Sequence, residues 1–495
     1  MTTTRTTPLD VDRVLNEGRW TDYQKWLVFL TALTIVFDGF DNQLLGVALP
    51  TIMREWSAGR AAFAPVVSLG YLGMMIGGTL AGYAGDRIGR RNALLGCMVL
   101  FGATTIVVAG AHDVATLAVL RLLAGIGLGG AMPNAAALAA EYVPLRQRPF
   151  AVTLAIVCVP VGATLAGFAA IAALPTVGWR GLFIIGGATP IAAAAVLAFV
   201  MPESPRFLVR HPSRWPELAR LLTRMGHPAP ADAVFVQPPG SETGRRPSLA
   251  AIFGRELRVD TFALWGAFFS CLLAVYLGFS WLPAILTGAG LGTSVASTGL
   301  TAFNLGGVAG ALAGGRLLTR FGSRVIMVGM ASAAVVCTLI MSRMTINAQS
   351  AVLPILVMLT LTGGLINAVQ TTMYALAAHV YPTAIRAGGV GTAVAFGRLG
   401  AILVGYAGPW ALEYRGSESF FWLMGGALVA TLLVTPPSGS QRLEDGRKTV
   451  NILLHLSISA CGFPLTQRRR NAKVYGTPPP HEIRRLQVLD FDRGA

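Results

Sequence analysis

Twelve stretches of about twenty mostly apolar residues follow one another along this chain, and that repetition leaves few folds open to it. They run near 26–48, 62–84, 92–111, 114–139, 149–173, 181–200, 260–286, 294–317, 324–342, 351–376, 387–412 and 418–436. Each is long enough to cross a hydrocarbon core as a helix. Inside that core every backbone N–H and C=O must be bonded within the protein, so only helices and closed barrels span it. A barrel would show alternating segments of about ten residues, whereas these stretches have helical periods. Composition agrees: 54% of residues are hydrophobic and 13% charged, where a soluble domain carries about a quarter charged. The predicted fold class is an all-α membrane protein with twelve transmembrane helices in two pseudo-symmetric six-helix bundles.

Loop charge predicts the orientation. With both termini placed in the cytoplasm, only Arg54, Arg60, Arg180, Arg343 and Arg415 of the 39 Lys and Arg fall in exterior loops. Arg121 and Arg398 lie inside spans, and the rest face the cytoplasm. This is the positive-inside pattern, and it favours an even number of spans. It also accounts for most of the +16 net charge. Basic residues beside spans meet lipid headgroups, so the bilayer is the expected partner and nucleic acid is not. The first apolar run has no small-residue cleavage site and carries two aspartates, so it reads as a retained span. The expected location is the bacterial inner membrane.

The organisation predicted is a cytoplasmic segment 1–25, a first bundle 26–200, a cytoplasmic loop 201–259, a second bundle 260–436 and a polar tail 437–495, read as disordered. Gly82-Tyr-Ala-Gly-Asp86-Arg87-Ile-Gly-Arg90-Arg91 follows the second span, and a related run, Gly315 to Arg324, follows the eighth. From Gly82 to Gly315 the offset is 233 residues, about one bundle. Internal repeats of this kind build transporters whose halves rock around a site near mid-membrane.

Asp38-Gly39-Phe40-Asp41 puts two acids in the first span. Each charge at mid-membrane costs roughly 2.5–3.5 kcal/mol on insertion scales. Their i, i+3 spacing places both on one face. Desolvation and mutual repulsion favour protonation, which suits a proton-coupling pair; a structural pair bonded to neighbouring helices is the other reading. Arg121 opens a glycine-rich run in the fourth span and must meet an anion, in the protein or in a ligand, or else carbonyls, because it does not deprotonate. Arg398 stands in the eleventh span, and no acid lies in the middle of any second-half span. A guanidinium holds a carboxylate bidentately, so Arg398 is a candidate for substrate carboxylate; a cross-bundle pair with Asp38 or Asp41 is the alternative. Polar groups in spans that could line a cavity are Asn42, Gln43, Asn134, Asn304, Asn367, Gln370 and Tyr374. Asp86, Arg87, Arg90 and Arg91, with Glu141 as partner, form a candidate gating latch. The five cysteines have no metal-type spacing, and no nucleotide loop or nucleophile–base pattern occurs. Neither an enzyme nor a cofactor or metal is expected.

At these residues the chain resembles the major facilitator superfamily, and within it the aromatic acid:proton symporter family, over about 20–436. The Gly82–Arg91 loop carries the wider resemblance. The narrower one rests on Asp38-Gly-Phe-Asp41, on Arg121 through Asn134 with Glu141-Tyr142, on Pro202-Glu-Ser-Pro-Arg-Phe-Leu208, and on Tyr381-Pro-Thr-Ala-Ile-Arg386 leading to Gly397-Arg398-Leu-Gly400. The second Pro-Glu-Thr motif of sugar porters and the fifth-span Gly-Pro motif of drug antiporters are absent. The resemblance implies import of a small aromatic carboxylate, such as a hydroxybenzoate or protocatechuate, with protons, by a monomer. It implies coupling roles for Asp38, Asp41 and Arg121 and a substrate role for Arg398. A carrier of non-aromatic anions, or a receptor that senses aromatic acids without moving them, are the other readings.

Overall fold

The computed structural model describes residues 8–230, 233–236, 249–255, 257–321, 323–382 and 385–435. The tail predicted at 437–495 lies outside them, and so do the side chains of 318–324 in the second copy of the repeated loop. Eleven of the described helices are long and apolar enough to cross a membrane. They supply twelve crossings, because Arg148–Val200 is broken at Gly178, whose φ of 67° suits glycine. The fifth and sixth spans are thus 148–177 and 179–200. The others are Asp22–Glu55, Ala64–Ile88, Arg90–Val108 and Val114–Tyr142 in the first half. In the second half they are Arg258–Gly288, Thr293–Phe321, Ser323–Arg343, Val352–Val380, Arg386–Arg415 and Ser417–Val434.

The first span starts at Asp22, ahead of the predicted boundary, because Thr21 and Gln24 form a reciprocal capping box. Before it, the 1–25 segment carries structure that its sequence does not announce. Pro8–Asp10 pairs in parallel with Val234–Val236 of the central loop, and Asp10 caps the short helix Val11–Glu17. Arg206 Nε donates to Asp12 at 2.9 Å, tying that helix to the start of the central loop.

Lipid tails are as apolar as leucine, so helices in a bilayer gain little by hiding apolar side chains from it; close packing of small residues holds them together. The second and fourth spans meet backbone to backbone. A Cβ on Gly77 would run into the Ile126 carbonyl, and one on Gly129 into that of Met74. The eighth and tenth spans repeat this contact, with Gly306 against Thr360 and Gly310 against Gly364. Likewise Gly39 packs the first span on Val159 of the fifth, and Gly400 packs the eleventh on Phe269 of the seventh. The two bundles therefore share a packing plan, as the 233-residue repeat suggests.

One end of the molecule, here the basic face, carries the N-terminal segment, Gly89 and the central loop. At the opposite face lie the turns at 56–59, 109–113, 178, 289–292 and 344–351. The bundles seal against each other toward that opposite face. Gln43 Nε2 donates to the Phe279 carbonyl at 2.7 Å, joining the first and seventh spans. Ser68 Oγ donates to the Ile402 carbonyl at 2.7 Å, joining the second and eleventh. Gly167 of the fifth lies against Thr301 of the eighth. Gly405 makes the second–eleventh contact possible, since any side chain there meets Ser68 and the Ala64 carbonyl.

Gly405→Val should therefore hold this face apart. In a background with the native cysteines replaced, a Ser280→Cys probe should react several-fold faster with a membrane-impermeant maleimide added from that face. Unchanged labelling would show that the seal closes without this contact.

Candidate functional site

The first-span acids are both buried but face different partners. Asp41 turns toward the third and fourth spans. Thr105 Oγ1 donates to its Oδ1 at 2.5 Å, and Arg121 Nη1 lies 3.6 Å from its Oδ2. Opposite charges about 4 Å apart gain roughly 4 kcal/mol at an effective dielectric of 20. That is of the order of the insertion cost of the two charges, so the pair largely offsets its own burial. Asp38 has an Oδ1 with no hydrogen-bond donor among the described residues. The charge that acts on it across the seam is Arg398.

Arg398 Nη1 reaches the Tyr276 hydroxyl and Met74 Sδ, each at 3.4 Å. Both are long contacts, and the guanidinium has no carboxylate within 4 Å among the described residues. The Tyr276 ring packs on Tyr71 with centroids 4.5 Å apart. Tyr71 shares a hydrogen with Ser280 at 2.8 Å, a bond from the second span to the seventh. Tyr374, edge-on to Phe268, lies within electrostatic reach of Arg398. A cation is thus set among phenolic groups from the second, seventh and tenth spans, with Asp38 across the seam. Above it, toward the sealed face, a small cavity bordered by Asn42, Tyr71, Arg121 and Ser280 leaves about 20 Å³, room for one water.

Several of the polar span residues predicted to line a cavity bond to other parts of the protein. Asn134 is fully buried and donates to the Ala81 and Gly130 carbonyls at 3.0 and 2.9 Å, bridging the second and fourth spans. Asn367 donates to the Gly363 carbonyl at 2.9 Å and packs on Gly307, filling the eighth–tenth contact. Gln43 and Asn304 join each other at 3.3 Å within the seal. A buried amide in a membrane protein bonds to carbonyls as readily as it faces a cavity, and sequence does not separate the two. Gln370 is half-buried on the tenth span. Tyr71, Ser280, Met74 and Thr105 were missed. Tyr71 had a usable signal, a polar-tipped ring in mid-span, whereas Thr105 resembles any small span residue.

The predicted latch assembles at the basic face, within the first bundle. Arg90 Nη2 donates to Asp86 at 2.7 Å, and its Nε lies 3.8 Å from Glu141. Arg87 turns away, its guanidinium over the Tyr83 ring at 4.4 Å. Arg91 acts through its backbone N–H, which donates to Glu203 at 3.0 Å, while its guanidinium donates to the Ala198 carbonyl. Glu203 also accepts from Ser204 N at 2.8 Å, and Ser204 Oγ donates to Glu141. Gly89, with φ of 98°, leaves the space that the Glu203 carboxylate fills. Glu203 and Ser204, which lie within the Pro202–Leu208 motif with no role predicted for them, therefore join Asp86, Arg90 and Glu141 in one cluster.

The sequence profile of the Major Facilitator Superfamily matches residues 31–371 and 264–474. The chain belongs to this superfamily. Among its relatives is the gallate transporter of Pseudomonas putida, 34% identical over 439 residues that cover 88% of this chain and 96% of that one. The 4-hydroxybenzoate transporter PcaK of the same species is 34% identical, covering 81% and 89%. The benzoate transport protein of Acinetobacter baylyi is 29% identical, covering 82% and 87%. Among solved structures, the Escherichia coli xylose transporter XylE in a partially occluded inward open conformation superposes with a TM-score of 0.66 at 18% identity, covering 85% of this chain and 99% of that one. The superfamily fold expected from the sequence is the fold observed.

In this superfamily member the Asp41–Arg121 pair can be tested as a unit. Asp41→Asn leaves the Arg121 cation buried without its counter-charge, and breaking a buried pair costs about 3–5 kcal/mol. The variant should unfold at a markedly lower temperature in detergent, followed by exposure of its buried thiols. Adding Arg121→Gln should recover much of the loss; simple additivity of the two would show that the residues are not coupled.

Proposed function

We propose that this protein imports a small aromatic carboxylate, hydroxybenzoate- or protocatechuate-like, together with protons across the bacterial inner membrane. The basic face is the cytoplasmic one, so both termini are cytoplasmic, and the monomer is the working unit. The observation that carries the reading is Arg398, a half-buried cation among Tyr71, Tyr276 and Tyr374 with no carboxylate in contact among the described residues. A guanidinium pairs with a carboxylate in a planar, bidentate fit, and the surrounding rings and hydroxyls suit a phenolic ring. The printed names of the relatives, for gallate, 4-hydroxybenzoate and benzoate, supply the same ligand class.

Asp38 is the proton carrier in this reading. With the outer seal open, a proton reaches Asp38 and weakens its hold on Arg398, which frees the cation for the incoming anion. The bundles then rock, the seal of Gln43, Ser68 and Tyr71 closes behind the substrate, and both species leave at the basic face. Asp41 and Arg121 remain together and hold the first bundle's geometry beside Asp38. The latch of Asp86, Arg90, Glu141 and Glu203 times the opening of the basic face. A proton and a monoanion together carry no net charge, so a pH gradient drives a 1:1 cycle.

Labelled 4-hydroxybenzoate should accumulate in proteoliposomes when the outside is made acid. Equal initial rates with and without the gradient would rule out proton coupling. Asp38→Asn should abolish accumulation while leaving exchange of internal for external substrate. Arg398→Ala removes charged hydrogen bonds worth about 1.5–3 kcal/mol, so its KM should rise roughly 10–100-fold; an unchanged KM would place the carboxylate elsewhere.

A further inference from the structure

Exterior arginines are rare in this chain, and their surroundings divide them into two groups. Arg180 is paired with Glu55 at 2.6 Å, and Arg415 lies 3.9 Å from Glu418. Arg343 sits over the Trp422 ring at 5.9 Å. Arg54 and Arg60 have no carboxylate within 4 Å among the described residues. The acid next in sequence to Arg54 is Glu55, and it is committed to Arg180 and to Trp179 Nε1, each at 2.6 Å.

Arg54 and Arg60 border one pocket of about 250 Å³ on the opposite face, where the first span meets the seventh. Pro50, Met53, Ala284 and Thr287 complete its wall. Gly288 leaves the space into which the Arg60 guanidinium folds, and a side chain there would collide with Nη2. The pocket lies outside the seal of Gln43 and Phe279, on the side from which the substrate arrives.

Helix electrostatics account for only one of these cations. Arg54 ends the first span, where a positive charge suits the helix dipole. Arg60 begins the helical run Arg60–Phe63 that leads into the second span, where the dipole favours an acid. It also violates the charge bias of exterior loops. An unpaired cation placed against both preferences, in a mixed polar and apolar pocket with Met53 on its wall, fits an anion with an apolar body.

We propose that Arg54 and Arg60 form an outer docking site for the aromatic carboxylate, a second binding site that the anion occupies before it passes to Arg398. The carboxylate lies between the two guanidiniums and the ring against Pro50, Met53 and Ala284. Both arginines belong to the first bundle, so they stay together when the halves part, while the seventh-span wall moves away and frees the ring. Clustered charge at an entrance raises local anion concentration and capture rate, and salt screens that effect. This inference rests on the import reading and its orientation.

The experiment compares R54Q/R60Q with R54K/R60K in the full chain, using labelled 4-hydroxybenzoate in right-side-out and inverted membrane vesicles. R54Q/R60Q should raise KM for entry from the outer side at least threefold, with the maximal rate retained. It should also flatten the dependence of that KM on ionic strength. KM measured from the inner side should not change, and R54K/R60K should restore most of the outer-side value. An unchanged outer KM overturns the proposal, as does an equal loss in both directions, which would assign the arginines a structural role. If the wild-type protein moves no 4-hydroxybenzoate, the import reading fails and equilibrium binding of the same compound to purified protein decides the docking site. Binding retained by Arg398→Ala and lost in R54Q/R60Q supports it; any other pattern, including no binding, overturns it.

Discussion

A full charge in the middle of a bilayer protein must be answered by another charge, and the first bundle answers one of its own. Asp41 is held by Thr105 and Arg121, so the third and fourth spans are tied to the first by a pair whose attraction recovers part of its desolvation cost. What remains is one acid, Asp38, and one cation, Arg398, on opposite halves. Neither has a close ionic partner within its own bundle among the described residues. That remainder makes the two halves unequal in charge. Two elements that must separate and rejoin carry the two charges that gain most from meeting.

Motion of this kind needs rigid halves, and glycine provides them. Between the second and fourth spans, and again between the eighth and tenth, backbones touch with no side chain between them. Such contacts do not slide easily, because each carbonyl fills the place of a missing Cβ. The seam between bundles has glycine contacts of its own, Gly46 on the Phe279 carbonyl and Gly405 on that of Ala64, and adds hydrogen bonds to them. Single hydrogen bonds from Gln43, Ser68 and Tyr71 cross it, each worth about 1 kcal/mol net and each able to break without disturbing the packing on either side.

The fold was legible because the bilayer simplifies the code. Apolar length predicts the spans, and the 233-residue repeat predicts the pairing of bundles. Charged residues in spans were equally visible, since Asp38, Asp41, Arg121 and Arg398 are too costly to place without reason. Uncharged polar residues were not. Asn134, Asn367, Gln43 and Asn304 look alike in sequence, yet the first two bond carbonyls inside a bundle and the last two close the seam. Helical periodicity gives a face but not its neighbour, and the neighbour decides whether an amide meets a ligand. Tyr71 escaped for the same reason, and Glu203, visible within its motif, gave no sign of its partner, a glycine more than a hundred residues earlier.

The one-water cavity beside Arg121 bears on leakage. A proton crosses a membrane protein most readily along a chain of hydrogen-bonded waters, and a space of about 20 Å³ holds no chain. A carrier that uses a proton gradient dissipates it if its own charges short-circuit the barrier. Here Tyr71 and Ser280 meet beside that cavity, so the contact that narrows the path for solute also narrows it for a chain of waters.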